Sequence, residues 1–559
     1  MPQSKPDELL TIISLAESLR VYDVSYHDGG SVQKEAIATF QKAIQIVLDK
    51  RKTMANGEEK IPSPNSVTDP LYGEMFLDYK DRSINGVLCA LYTSLGKTYF
   101  MANLFENAVN SYSKVLEIDP LYYDAISSRG SSYIILGDYE KAATDLSLVM
   151  QRDEERRFQE VFTGLARILQ AKESAVPGGW EPMMEILDFL IPFLESKLQD
   201  TDAVEFKQSI MASLNRLYHV VFYYHDVKTK NKDMAFEALT KSYEYKMGTI
   251  APWNPEFERQ KVSTTKQIFS SSFFPDGVGS DSRLPIFIIG FVRSGSTLLE
   301  RVLDSHPQIV GTGEDSVFNG NLDRIRNKIV ETSVADPTQL SKVIEELADE
   351  VVSEMQGRWR MMKKEEGQIA NEDEPLRLGD KMLTNYYNVG FIHLLFPKAL
   401  ILHVVREPMD TIFSAYKHEF PPGGLDYTSS FESLAQLYHS YRELMIHWDQ
   451  TLPGRVTHIR YEDMVHDMPN VAKKIIEATG LEWDESVLDF HKKKQAVNTL
   501  STTQVRRGVY KDSLQSWRRY EDHLKPLVEL VGNEVSYDLK TSLPGYTPPI
   551  VTDEADSEL

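Results

Sequence analysis

The stretch that decides the fold is Ile286-Phe287-Ile288-Ile289-Gly290-Phe291-Val292-Arg293-Ser294-Gly295-Ser296-Thr297, which continues into Leu298-Leu299-Glu300. The four apolar residues at its start predict a buried strand, and the two glycines predict a tight turn into a helix. Backbone N–H groups and the helix dipole at such a turn form a cradle for anions. The stretch therefore predicts an α/β unit whose first turn binds a negatively charged group.

The spacing of the two glycines is that of a nucleotide-binding P-loop, except that Ser296 stands at the position of the usual lysine. Because that lysine contacts the β- and γ-phosphates of a triphosphate, its replacement argues against a nucleotide kinase or NTPase. Arg293, inside the loop, can supply positive charge to a different anion. At this point a glycine turn in an α/β core without any ligand remains an alternative.

Two further strand-like runs, 399–405 and 456–459, predict strands, and helical patterns of 10–20 residues separate the three. This alternation predicts a P-loop-type α/β domain with a mostly parallel sheet. Ligands of such sheets bind at the carboxyl ends of the strands. We assign this domain to residues 284–535 and predict an acidic tail at 536–559.

A second motif follows the run 399–405 directly: Arg406-Glu407-Pro408, then Asp410, Ser414 and Tyr416. An arginine at the end of a strand and a hydroxyl eight residues later, on the next helix, can converge on one phosphate. The alternative is a surface arginine and an ordinary helix serine.

The N-terminal part of the chain carries an internal repeat. Gly96 and Gly130 are 34 residues apart, as are Tyr99 and Tyr133, and Ala108 and Ala142. This is the tetratricopeptide period, so we predict a tetratricopeptide α-solenoid over 1–250. Prolines, glycines and serines predict a linker at 251–283. The solenoid could bind a protein partner or the substrate, or it could be a scaffold or homodimer surface.

The formal net charge of −22 argues against binding to nucleic acid or to an anionic membrane. The single cysteine, Cys89, rules out intramolecular disulfides and makes a cysteine-based zinc site unexpected. No apolar run is long enough to span a bilayer. We therefore expect a cytoplasmic protein without a membrane segment.

The P-loop region also resembles a known family. The segments Arg293–Leu298, Leu303–Pro307 and Gly313-Glu314 look like the 5′-phosphosulfate motif of sulfotransferases, in particular the tyrosylprotein and tetratricopeptide-fused members. Arg406 to Ser414 is similar to the family's 3′-phosphate motif. The resemblance implies that the co-substrate is 3′-phosphoadenosine 5′-phosphosulfate (PAPS), whose sulfuryl group passes to an acceptor without a metal.

The resemblance also implies a role for each matching residue. Glu314 is expected to be the catalytic base, and Arg293, Lys381 and Ser501 are expected to stabilise the leaving phosphate. Residues expected to bind the rest of PAPS are Ser294, Gly295, Ser296, Thr297, Arg406, Ser414, Tyr461 and Arg507.

Two points stay open in the sequence. His306 is a rival base, although a ring in His306-Pro307 can also brace the turn. Ser316 and Gly320 stand where the tyrosylprotein enzymes have arginines for acidic peptides, so the resemblance implies a small-molecule or glycan acceptor. The competing functions are a P-loop kinase or NTPase, and a tetratricopeptide adaptor with an inactive enzyme domain.

Overall fold

A computed structural model describes residues 31–53, 83–153, 158–270, 273–274, 277–314, 317–365, 375–420, 423, 425–490, 513–532 and 540–548, with 12, 13, 15, 16 and 18. The described residues form two compact units, and the main division falls between Gly179 and Trp180. Among these residues, no helix is both long and apolar enough to cross a membrane.

The first unit consists of helices. They are α1 (Ser31–Thr53), α2 (Ile84–Met101), α3 (Phe105–Ile118), α4 (Tyr123–Leu136), α5 (Tyr139–Arg152) and α6 (Glu160–Lys172). A three-residue connection joins α2 to α3, and a four-residue connection joins α3 to α4. Such short connections form helical hairpins.

Glycines at the predicted repeat positions let neighbouring helices approach closely. A Cβ added at Gly96 would lie 2.5 Å from the ring of Tyr112, and one added at Gly130 would lie 2.7 Å from Leu146. The 34-residue spacing therefore reflects a packing requirement that recurs from one hairpin to the next, and the predicted tetratricopeptide-like architecture is confirmed.

The second unit begins with four further helices. They are α7 (Glu181–Asp200), α8 (Val204–Tyr223), α9 (Lys232–Met247) and α10 (Pro255–Ile268), with a π-helical turn at Tyr224–Thr229 between α8 and α9. Helices α7 to α9 thus belong to the second unit, whereas the sequence assigns them to the solenoid; the predicted boundary at 250 stays a prediction.

Helix α10 lies inside the stretch predicted as a linker, 251–283. Pro255 is its first residue, and the Asn254 side chain accepts hydrogen bonds from the N–H groups of Glu256 and Phe257. Proline fits the first turn of a helix because its missing N–H would have no partner there. Pro255 here starts a helix, so part of the stretch 251–283 is helical, and its role as a linker stays a prediction.

The sheet has five parallel strands in the order β2-β3-β1-β4-β5. They are β1 (Pro285–Gly290), β2 (Ile309–Gly311), β3 (Arg377–Asp380), β4 (Leu400–Val405) and β5 (Thr457–Arg460). The helices of this part are α11 (Ser296–Asp304), α12 (Val317–Ala335), α13 (Leu340–Glu365), α14 (Val389–Leu395), α15 (Pro408–Tyr416), α16 (Phe431–Thr451), α17 (Tyr461–His466), α18 (Met468–Thr479) and α19 (Glu521–Val531).

The central strand β1 is buried along its whole length, as the apolar run predicts. Ile286 and Ile288 belong to a cluster with Leu299 and Val302 of α11 and with residues of α18. Since helices cover a parallel sheet on its faces, both sides of β1 are apolar. The predicted α/β class and parallel sheet are confirmed, and the loops after β1, β4 and β5 meet at one edge.

Candidate functional site

The loop between β1 and α11 has the backbone of an anion cradle. Arg293 has a φ of 69° and Gly295 a φ of 102°, so both lie in the left-handed region. For arginine this conformation costs energy, and such strain concentrates at functional sites. The Oγ of Ser294 is buried and has no hydrogen-bond partner among the described residues. Helix α11 begins at Ser296, so its N-terminus faces the loop.

The two arginine motifs meet. The Nη1 of Arg406 donates to the backbone oxygen of Arg293 at 3.2 Å, and the Nε of Arg293 donates to the Oγ of Ser414 at 3.2 Å. Arg406 follows β4, and Ser414 lies on α15. The strand end, the following helix and the β1 loop therefore bring three predicted site residues into direct contact.

Tyr461 lies under this arrangement at the end of β5. The guanidinium carbon of Arg406 is 4.8 Å from the centre of its ring, a cation–π distance. A Cβ added at Gly295 would lie 2.3 Å from the same ring. Only glycine therefore allows the loop to approach Tyr461 this closely, which explains the second glycine of the motif.

Residues 513–517 approach the same arginine. The Nη2 of Arg406 donates to the backbone oxygen of Ser513 at 2.5 Å, and the hydroxyls of Tyr461 and Ser513 are 2.8 Å apart. The buried carboxylate of Asp410 accepts from Gln515 N at 2.7 Å and Trp517 N at 3.2 Å. Asp410 is part of the second motif, but its partners lie a hundred residues away, so the sequence did not reveal its role.

Lys381, at the end of β3, is buried with two carboxylates around it. Its side chain is 1% exposed, and its Nζ lies 3.1 Å from Glu314 Oε1 and 3.6 Å from Glu300 Oε2. Burial alone would lower the pKa of Lys381, but Glu300 and Glu314 outweigh it and raise the pKa above its ordinary value. Burial raises the pKa of Glu300, and Lys381 opposes that shift. The lysine is therefore held in its charged form.

Glu300 was not among the predicted site residues. It lies on α11, shortly after the P-loop, where the sequence alone does not distinguish it from an ordinary helix glutamate. Glu314 is different: its side chain is 55% exposed although it contacts buried Lys381. One carboxylate thus fixes the lysine from inside, and the other is open to a substrate.

His306 makes one hydrogen bond within its turn and one to a distant segment of the chain. Its Nε2 lies 2.9 Å from the backbone oxygen of Glu482, and its Nδ1 accepts from Gln308 N at 3.1 Å. Both ring nitrogens are engaged, which fits a bracing role. Ser296 and Thr297 are buried at the start of α11. Ser501 and Arg507 lie outside the described residues.

A third basic side chain, Lys417, interacts electrostatically with the two arginines. Burial lowers the pKa of Lys417, which directly follows α15; Asp226 opposes this, and Arg406 and Arg293 lower it further. The strongly acidic chain thus brings a third basic side chain to the place where its two anion motifs meet, although the surroundings disfavour its charged form. Sequence reasoning missed Lys417 because it lies outside both motifs.

The site leaves buried polar atoms that a ligand could pair. The Ser294 Oγ and the buried Nε of Arg406 have no hydrogen-bond partners in the described part of the chain. Buried polar atoms in folded proteins normally have hydrogen-bond partners, so two such atoms without a partner, in a site rich in basic side chains, indicate a ligand. Over the same residues, no group of three or more His, Cys, Asp or Glu side chains could hold a metal ion.

Comparison with known proteins identifies both parts of the chain. Residues 285–485 match the sulfotransferase family, and residues 90–120 match a tetratricopeptide repeat. An uncharacterized protein of Aquifex aeolicus (strain VF5) is 30% identical over 310 residues, covering 54% of this chain and 40% of that protein. The chain therefore aligns with less than half the length of this relative.

Two further relatives cover the C-terminal part. A putative protein-tyrosine sulfotransferase of Caenorhabditis briggsae is 22% identical, over 47% of this chain and 92% of that protein. Among solved structures, the sulfotransferase domain of the Synechococcus PCC 7002 olefin synthase is 20% identical with a TM-score of 0.31, over 48% of this chain and 98% of that domain. Over residues 285–485 the chain thus matches the sulfotransferase family model, and this segment follows a match to a tetratricopeptide repeat at 90–120.

Proposed function

We propose that the chain is an active sulfotransferase that moves the sulfuryl group of PAPS to a hydroxyl or amine acceptor and releases 3′,5′-bisphosphoadenosine. One observation carries the proposal: the hydrogen bonds that join Arg406 to Arg293 and Arg293 to Ser414. They bring the two phosphate motifs within reach of one nucleotide. A P-loop without the second motif would suit many anions, whereas the pair suits a 3′,5′-bisphosphate.

In this proposal each of the two motifs binds one end of PAPS. Residues 293–297 bind the 5′-phosphosulfate through backbone N–H groups and hydroxyls, because the helix N-terminus and Arg293 favour negative charge there. Arg406 and Ser414 bind the 3′-phosphate, and Arg507 contributes to it. The ring of Tyr461 lies close to both motifs, where it can stack against the nucleotide.

For the transfer, Glu314 accepts the proton of the acceptor hydroxyl while that oxygen forms a bond to sulfur. The bond between sulfur and the bridging phosphate oxygen breaks, and Lys381, Arg293 and Ser501 stabilise the negative charge left on the phosphate. The Glu314 carboxylate is exposed and 3.1 Å from Lys381, so the base and the leaving-group cation are neighbours. Such proximity suits an in-line transfer.

The acceptor and the setting are also proposals. We propose a small-molecule or glycan acceptor and a cytoplasmic location. The tetratricopeptide part provides a surface for a protein partner or for a second copy of the chain.

The proposal is tested with radiolabelled PAPS and a panel of alcohols, phenols, amines and sugars. We expect transfer of label to at least one acceptor class. Glu314→Gln should reduce transfer by at least about a hundred-fold, because general-base catalysis supplies that much, while 3′,5′-bisphosphoadenosine still binds.

Glu331→Gln, an exposed position on α12, is the matched control and should keep full activity. Full transfer by the Glu314→Gln enzyme would remove Glu314 as the base. Magnesium-dependent ATP hydrolysis with no sulfuryl transfer would favour the kinase or NTPase alternative. Absence of both activities would favour the adaptor.

A further inference from the structure

Helices α8 and α9 lie outside the segment that matches the sulfotransferase family, yet α9 reaches the end of helix α15. Lys246 is 2% exposed, and its Nζ donates to the backbone oxygen of Phe420 at 3.0 Å. The buried hydroxyl of Tyr243 donates to the backbone oxygen of Tyr416. Burying an unpaired lysine costs free energy. The hydrogen bond of Lys246 to this carbonyl therefore fixes the chain at Phe420. Tyr416 and Phe420 lie two and six residues after Ser414 in the chain.

The turn between α8 and α9 reaches a second part of the same site. Arg519 Nη1 donates to the backbone oxygen of Asp226 at 2.9 Å and to its Oδ1 at 2.7 Å. The hydroxyl of Tyr520 donates to the same Oδ1 at 2.7 Å. Asp226 lies in the π-helical turn Tyr224–Thr229, and such turns are rare and frequently found at functional sites.

Arg519 and Tyr520 end the short helix Ser516–Tyr520, whose start is fixed to Asp410. The residue three positions before this helix, Ser513, receives the hydrogen bond of Arg406. Asp226 therefore holds one end of a segment whose other end contacts Arg406. The negative charge of Asp226 also acts on Lys417, which interacts with Arg406 and Arg293.

We propose that Asp226, with Tyr243 and Lys246, positions the donor-binding residues, so that affinity for the bisphosphate depends on a helical hairpin outside the family segment. Lys246 and Tyr243 fix the chain after Ser414, and Asp226 fixes residues 513–520 against Arg406. None of the three touches the reacting atoms; they are positioning residues. This inference rests on the proposed function, since the donor is taken to be a 3′,5′-bisphosphate nucleotide.

The test measures binding of 3′,5′-bisphosphoadenosine to the full chain. Asp226→Asn removes the charge that pairs with Arg519, and we expect about ten-fold weaker binding and faster dissociation, because charge-assisted hydrogen bonds are lost. Arg519→Ala should have a similar effect from the other side of the contact. The double variant should be no weaker than either single variant, since both remove the same interaction.

Kinetics separate positioning from a general loss of structure. With an acceptor found by the panel, the donor KM of Asp226→Asn should rise about ten-fold, while kcat at saturating donor and the acceptor KM stay within about two-fold. Asp226→Glu should restore most of the affinity. Asp233→Asn, an exposed residue of the same hairpin, is the control and should bind like the original protein.

Unchanged bisphosphate affinity in Asp226→Asn and in Arg519→Ala would overturn the inference and leave the proposed function standing. Additive losses in the double variant would overturn it as well. If the original protein itself does not bind 3′,5′-bisphosphoadenosine, the proposed function fails, and the inference that rests on it fails too.

Discussion

Lys381 shows how single residues set the chemistry of the site. A buried lysine loses its proton easily, but here Glu300 and Glu314 hold the pKa of Lys381 above its ordinary value. In the proposed function this charge stabilises the leaving phosphate. The two carboxylates have different roles in it: Glu300 is buried and fixes Lys381 from inside, whereas Glu314 is half-exposed and can meet an acceptor.

At the residue scale we predict the effect of Glu300→Gln on the pH profile. Lys381 acts in its protonated form, and without Glu300 the effect of burial is less opposed, so the pKa of Lys381 falls. The alkaline limb of kcat/KM should therefore move to lower pH, by about one unit or more. Steady-state rates from about pH 7 to above pH 11 measure the shift, since the limb of the original enzyme lies above the ordinary lysine pKa.

Glu345→Gln, on the exposed side of α13, should leave the profile in place. An unchanged alkaline limb in Glu300→Gln would show that Glu300 does not tune Lys381. Loss of rate at every pH without a shift would assign Glu300 a purely structural role.

In the proposed function, the P-loop is the element on which binding of PAPS depends most. Its strain at Arg293 and the close approach of Gly295 to Tyr461 arise from one backbone path, fixed by β1 before it and α11 after it. The loop fixes its hydrogen-bond donors in place before a ligand arrives, so binding does not have to order them.

At the element scale, Gly295→Ala tests this path. Its Cβ would lie 2.3 Å from the ring of Tyr461, and its φ of 102° disfavours alanine. We expect affinity for 3′,5′-bisphosphoadenosine to fall at least about ten-fold, with an unfolding midpoint a few degrees lower. Calorimetric titration and thermal unfolding measure the two effects.

Gly454→Ala is the matched control, because Gly454 has a φ of 71° but no atom within 4 Å of an added Cβ. It carries the same kind of backbone strain without the clash. If both variants lose affinity equally, the contact with Tyr461 is not what the loop requires.

For the molecule as a whole, the sequence predicts what local pattern determines. The strand-like runs 286–289, 399–405 and 456–459 form β1, β4 and β5, and the segments with the 34-residue spacing form helical hairpins. Strands β2 and β3 are as short as β5, with three and four residues, but each contains a glycine, which is uncommon in strands and obscures the pattern. The strand order depends on long-range pairing, which no single stretch encodes.

The same distinction applies to the site. Arg293, Arg406 and Ser414 lie in motifs that can be recognised in the sequence by their spacing, and the structure brings them into contact. Glu300, Asp226 and Lys417 carry no local signal, since each acquires its neighbours only when distant segments fold together. A glutamate in a helix or an aspartate in a turn has the same sequence appearance whether or not it meets a buried lysine or arginine.

The most direct measurement compares two ligands that differ only in the 3′-phosphate. Binding of 3′,5′-bisphosphoadenosine and of adenosine 5′-monophosphate is titrated with the full chain, with Arg406→Ala, and with Arg259→Ala as an exposed control. We predict that the bisphosphate binds at least about a hundred-fold more tightly, and that Arg406→Ala removes most of this difference while Arg259→Ala keeps it. Equal affinity for the two ligands, or a preference for ATP with magnesium, would contradict the claim that both motifs hold one nucleotide.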